Sequence, residues 1–197
     1  MLYCGRSSAW EVTAMQKRSH TLLASALLRS REGFDARRFE LAFLFGSFQP
    51  DCNPFTYLKG SLRAYKFRGH NYSNSQLYIA AHIASLRRHQ NWTMWQYYTL
   101  GKLTHYLADA FTYPHNETYS ESLLAHRQYE DALRTYLAEY LQHRSLLRQQ
   151  FREDLAAALE ELHCQYLERR SDLQRDVQYI IQATSLLMAG CCPGVPA

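Results

Sequence analysis

Apolar positions recur along this chain three or four residues apart, the spacing of one helical face, almost from end to end. Leu22, Leu23, Ala26 and Leu27 form a stripe behind His20 that ends before Gly33. Phe39, Ala42, Phe43 and Phe45 mark a second, shorter helix over residues 36 to about 48. The period then fails. Pro50, Pro54, Gly60 and Gly69 punctuate residues 49–69, which read as a long loop, and loops of that length in compact domains tend to carry function. Ser73 or Asn74 is placed to cap a helix reaching about residue 89. Asn91 is placed to cap the next, which runs through Trp95, Tyr98, Leu103 and Tyr106 to about Phe111, with Pro114 stopping it. Another helix spans about 120 to 144. Leu147, Phe151, Leu155, Leu159, Leu162 and Tyr166 continue as one buried helical face. Ser171 and Gln174 have the spacing of a capping box, opening a last helix that ends at Gly190 with Pro193 beyond. No strand alternation and no extended repeat emerges. The pattern predicts an all-α, single-domain bundle of about seven helices over residues 1–197, with residues 1–9 and 191–197 as frayed tails.

Composition agrees with a packed globular domain. Of 197 residues, 47% are hydrophobic and 20% charged, which excludes wholesale disorder, and five Pro with eight Gly leave helices few breakers. The net charge of +4 is too small and too evenly spread to argue for nucleic acid by itself. The opening residues lack the apolar run of a secretory signal, and no stretch is long and apolar enough to span a bilayer. Cys4, Cys52, Cys164, Cys191 and Cys192 are odd in number and without metal-ligand spacing, which predicts free thiols in a reducing, cytoplasmic setting. Asn71, Asn91 and Asn116 open glycosylation sequons, which in that setting are coincidences.

Nine His in a helical chain raise the question of metal. His105 and Asp109 are four apart on a strong helix, and His126 and Glu130 repeat the arrangement on the next; such pairs leave one helix face together. Chance alone yields about one pair of this kind in a chain with nine His and 18 carboxylates, and a solvated ion pair is the ordinary reading of each. The whole segment says more. In H-Y-L-A-D-A-F-T-Y-P-H, Pro114 turns the chain so that His115 can approach the first pair, and His126-Arg-Gln-Tyr-Glu130 then returns with two more donors. His115, His126 and Glu130 make a three-ligand set with an open fourth position, the hydrolytic zinc pattern.

This segment resembles the zinc-dependent phospholipase C family, whose helical fold is shared with single-strand-specific zinc nucleases. The family shows H-x3-D, six residues to a His after Pro, then H-x3-E or H-x3-D; here these fall on His105, Asp109, His115, His126 and Glu130. Upstream, Asp51 in G-S-F-Q-P-D-C-N-P, His70 in R-G-H-N-Y-S and His20 in S-H-T-L-L-A follow in the family's order, so the likeness covers roughly residues 10–145. The resemblance implies a multinuclear site between helices. Asp51, His70, His105 and Asp109 would hold one Zn2+; His115, His126 and Glu130 a second; His20, with Asp109 bridging, a possible third. In secreted members an N-terminal Trp completes that third site. Trp10 is preceded by nine residues here, so a weak or altered third site is expected.

The implied reaction is hydrolysis of a phosphoric ester through a zinc-activated water, with Asp51 orienting or deprotonating that water and Asp109 as the catalytic bridge. The substrate implied is a phospholipid or another phosphodiester, met in transient contact with a membrane surface. Phe55, Tyr57, Tyr65, Phe67 and Tyr72 would suit a lipid or base pocket. Two alternatives remain beside it. A zinc nuclease or nucleotidase, with nucleic acid as substrate, would use Arg63, Lys66 and Arg68 beside Tyr65 and Phe67. A non-catalytic helical module would carry zinc only as structure, against which the open ligand set argues. Of the other His, His82 reads as a core or supporting imidazole and His89, His143 and His163 as surface. Gly101 costs its helix about 1 kcal/mol and suggests close helix packing.

Overall fold

The computed structural model describes residues 9–30, 34–52, 72–116, 122–144, 146, 149–150 and 152–192 of the 197. The described residues form seven α-helices and no strand, the all-α bundle that the periodicity predicts. They are α1 (Ala9–Arg29), α2 (Arg37–Cys52), α3 (Tyr72–Arg88), α4 (Met94–Ala110), α5 (Leu123–His143), α6 (Leu155–Leu167) and α7 (Leu173–Cys191), with a 3-10 turn at Tyr113–His115 between α4 and α5. None of these helices is long and apolar enough to cross a membrane.

Helix α4 is the axis of the bundle. Leu100, Leu103 and Leu107 are wholly buried, and α1, α2, α3 and α7 all pack on it. Each such leucine stabilises the fold by roughly 1.5–3 kcal/mol relative to an exposed one. Phe111 continues the core beyond the end of α4, against Tyr166 and His163 of α6 and Tyr179 of α7.

The contact between α2 and α4 is unusually close, and two glycines allow it. A Cβ on Gly101 would lie 2.1 Å from the Phe43 carbonyl oxygen and 2.9 Å from the Ser47 nitrogen; one on Gly46 would lie 2.1 Å from the Tyr98 carbonyl oxygen. The neighbours are backbone atoms, which cannot swing aside. The helical cost of Gly101 is therefore offset by letting two helices touch backbone to backbone.

Several boundaries differ from the expected ones. Helix α2 runs through Pro50 to Cys52, so Asp51 sits in a last helical turn and not in a loop. Pro50 removes one hydrogen bond only two residues from the helix end, where little helix remains to break. Helix α3 starts at Tyr72, ahead of the two expected caps. Thr93, not Asn91, caps α4: its side chain accepts from the Trp95 amide while the Gln96 side chain accepts from the Thr93 amide, a reciprocal capping box. Helix α6 begins at Leu155 behind an Asp154 cap, and the apolar face over Leu155, Leu159, Leu162 and Tyr166 is buried as expected; Leu147 and Phe151 lie outside the described residues. Asp172, not Ser171, caps α7, because Ser171 spends its hydroxyl on Asp176. At the other end α7 reaches Cys191, and both Cys191 and Cys192 are buried where a frayed tail is expected. Burial pushes the Cys191 thiol up to about 12.

Gly101→Ala is expected to lower stability by about 1–3 kcal/mol or more, against the gain of about 1 kcal/mol that helix propensity alone would give. Denaturant unfolding reads the sign; a more stable alanine variant would contradict the close approach.

Candidate metal centre

Four helices and one turn bring together seven of the eight residues singled out in the sequence. His105 and Asp109 project from one face of α4, His20 from the middle of α1 and Asp51 from the last turn of α2. His20 Nε2 lies 3.3 Å from Asp109 Oδ1, and His105 Nε2 lies 3.3 Å from Asp109 Oδ2, so the two imidazoles flank one carboxylate. Asp51 closes the group, with Oδ1 3.6 Å from His105 Nε2 and Oδ2 4.0 Å from His20 Nε2. The two imidazole rings stand 3.9 Å apart, tilted by 34°. His20, Asp51, His105 and Asp109 are all buried.

The second group forms where the 3-10 turn meets α5. His115 Nε2 and His126 Nε2 lie 3.2 and 2.9 Å from the same oxygen, Oε1 of Glu130. Pro114 sits within the turn and ends the direction of α4, and the chain re-enters α5 behind a Ser122 cap. His70 lies outside the described residues, as do Phe55, Tyr57, Arg63, Tyr65, Lys66, Phe67 and Arg68 of the aromatic and basic stretch.

The donors fit a divalent metal. Zn2+ bonds of about 2.0–2.1 Å in a tetrahedron set ligand atoms about 3.3–3.4 Å apart, and the separations above run from 2.9 to 4.0 Å. Nitrogen and carboxylate donors at these positions suit that ion, with His20, His105 and Asp109 in one set, and His115, His126 and Glu130 in the other, each offering three atoms within 4.8 Å of one another. His105 Nδ1 donates to the Ser47 carbonyl at 2.9 Å, which fixes the proton on that nitrogen and aims the Nε2 lone pair at the carboxylates. Asp51 Oδ2 is buried without a hydrogen-bond partner among the described residues, a costly placement for a carboxylate oxygen unless a cation meets it.

Charge among these side chains is arranged accordingly. Burial works against both the Asp109 and Glu130 carboxylates, but the facing imidazoles outweigh it, holding Asp109 well below the usual carboxylate range and Glu130 at about 2. Burial likewise opposes a charged His115, yet Asp109 and Glu130 lift it to about 9. Asp51 goes the other way: burial dominates and raises it. Asp109 thus acts on His115 across the gap between groups, so the two groups form one electrostatic unit.

Trp10 does not join this centre through its backbone. It is the second residue of α1, ten residues before His20, a separation of about 15 Å along a helix. Of the remaining His, His89 and His143 are exposed as expected, and half-buried His82 donates Nδ1 to the Tyr78 carbonyl and stacks on that ring. His163 is a correction. It is buried, not on the surface, and its Nε2 donates to Ala110 O and Asn116 Oδ1, both at 3.2 Å. Its place four residues after Leu159 and three before Tyr166 put it on the apolar face, a legible signal that its charged neighbours mask. Asn116 is itself buried, with Nδ2 donating to Ala110 O and Thr112 O, so its sequon is sterically closed.

The comparisons with known proteins bear on this geometry. The sequence model of one family, zinc dependent phospholipase C, matches residues 19–173. The match takes in every residue of both groups and most of the chain, and the protein belongs to that family of zinc-dependent hydrolases. No curated protein and no solved structure matches the chain.

Two pH responses follow. Because His115 holds its proton up to about 9 without metal, zinc must displace that proton; apparent affinity should fall by up to about tenfold per pH unit below pH 9, with protons released on binding, as calorimetry in buffers of different ionisation enthalpy would register. Burial pushes His163 down to about 4, below its unfolded value near 6.5. The unfolded chain therefore binds the extra proton between these values, so this stabilising contribution is full above pH 6.5 and is lost as pH falls towards 4, at most about 1.4 kcal/mol per unit. His163→Gln should flatten the stability profile in that window.

Proposed function

We propose that the chain is a phospholipase C-type phosphodiesterase, in which water attacks phosphorus and the bond to the glyceride oxygen breaks, giving diacylglycerol and a phosphorylated head group. The observation that carries this reading is the buried cluster of His20, Asp51, His105 and Asp109 beside His115, His126 and Glu130, in a chain of this family. His105, Asp109 and Asp51, joined by His70 on the resemblance, would hold one zinc, and His115, His126 and Glu130 the other. His20 on the second Asp109 oxygen leaves room for a third, weaker ion. When bound, zinc supplies a Lewis acid for the phosphoryl oxygens and lowers the pKa of a water ligand towards 7.

The side chains do the rest. Asp109 presents one oxygen to each flanking imidazole, so it ties the α1 and α4 donors into one unit. Ser47 O keeps His105 in the tautomer that leaves Nε2 as donor. Asp51, its carboxyl raised by burial and its Oδ2 without a hydrogen bond among the described residues, is suited to take a proton from the attacking water and hold it. Burial of all four groups excludes bulk water and strengthens each of these interactions.

Zinc-loaded protein should release diacylglycerol from phosphatidylcholine vesicles faster than it degrades single-stranded DNA or a simple phosphodiester. Preferential cleavage of the DNA would instead assign a nuclease on the same site; turnover of none of the three, with melting raised by zinc, would assign structural metal. Asp109→Asn should lose zinc and activity together, by more than the roughly 10–100-fold that outer partners of metal ligands cost. Full zinc content with full turnover in that variant would refute the mechanism.

A further inference from the structure

Helices α6 and α7 carry none of the metal donors, yet they meet the second ligand group through one buried acid. Asp176, in the first turn of α7, is fully buried and receives four hydrogen bonds. The Tyr113 amide and the Tyr129 hydroxyl donate to Oδ2, each at 2.8 Å. The Tyr166 hydroxyl, at 2.7 Å, and the Ser171 hydroxyl donate to Oδ1. Two oxygens with two donors apiece is the full complement of a carboxylate.

The partners are placed tellingly in sequence. Tyr113 opens the 3-10 turn and is two residues before His115; Tyr129 is one residue before Glu130. The two segments that must converge to form the second group are thus bonded to the same oxygen of the same side chain. Asp176 occupies a position on the α7 stripe otherwise filled by Val177, Ile180 and Ala183, where an apolar residue would pack without such a requirement. It also lies beyond residues 19–173, the part of the chain that the family pattern covers.

We propose that Asp176 is a positioning residue for the metal group His115–His126–Glu130, clamping the turn that carries His115 to the helix that carries Glu130. The proposal rests on the metal reading of that group. It gives the C-terminal helices a role in the site besides closing the core. His163 steadies the other end of the same turn through Asn116, the residue after His115.

The test compares Asp176→Asn with wild type, both stripped of metal and titrated with zinc against a chromophoric chelator. Asp176→Asn should bind one zinc as tightly as wild type and the other, the one that His126→Ala abolishes, at least about tenfold more weakly. Tyr129→Phe, which removes a single hydroxyl and keeps the ring, should shift the same zinc in the same direction by less, and serves if Asp176→Asn does not fold. Unchanged affinity for both ions, or an equal loss at both such as a Leu187→Ala core variant of matched melting temperature would give, overturns the clamp. Hydrogen exchange of the metal-free proteins gives an independent reading: the Tyr113 amide should exchange at least about tenfold faster in Asp176→Asn, while amides of α2 and α4 keep their rates. A wild type that takes up no zinc refutes the metal reading alone; an unchanged Tyr113 amide refutes the clamp.

Discussion

The backbone contact between α2 and α4 is the constraint on which the site depends. Gly46 and Gly101 let the two helices approach until a methyl group would overlap a carbonyl oxygen. At that separation the Ser47 carbonyl reaches His105 Nδ1, and Asp51, one turn further along α2, comes within 3.6 Å of His105 Nε2. A wider spacing, as larger residues would enforce, would break the first contact and open the second. The tolerance is narrow because interiors are close-packed, and a displacement of one ångström separates a metal ligand from a bystander.

The same closeness gathers charge that a metal-free fold holds at some cost. Three buried ionisable groups, His20, Asp51 and His105, gather with Asp109, and the Asp51 Oδ2 atom has no hydrogen-bond partner among the described residues. Desolvation opposes the charged forms of Asp51, His105 and Asp109, and mutual attraction only partly decides the outcome. A divalent cation answers all of these demands at once, since it neutralises the carboxylates and uses the imidazole lone pairs without protons. Affinity for metal and strain in its absence are here two descriptions of one arrangement.

The bundle divides its work between helices that offer donors and helices that hold them. α1, α2, α4 and α5, with the intervening turn, supply the imidazoles and carboxylates. α6 and α7 reach the turn from outside through His163 and Asp176, at its two ends. A 3-10 turn of three residues has little rigidity of its own. Bonds from two packed helices give it the fixed geometry that a ligand-bearing segment requires.

What the amino-acid order determined is what local geometry transmits. The 3.6-residue period reported seven helices, and the i, i+4 rule put His105 with Asp109 and His126 with Glu130 before any packing was known. Pro114 announced the reversal that brings His115 back. Cap positions slipped by one or two residues because Thr93 and Asp172 compete locally with neighbours of equal capping ability. Only the tertiary structure decided that His20, 89 residues away in the chain, shares Asp109 with His105, that Asp51 rides on a helix end, and that Asp176 meets Tyr113 and Tyr129. The physical reason is that a polar residue on a helix shows in sequence only which side of its own helix it occupies; which partner that side meets depends on how separate helices pack, and no spacing rule along the chain carries that information.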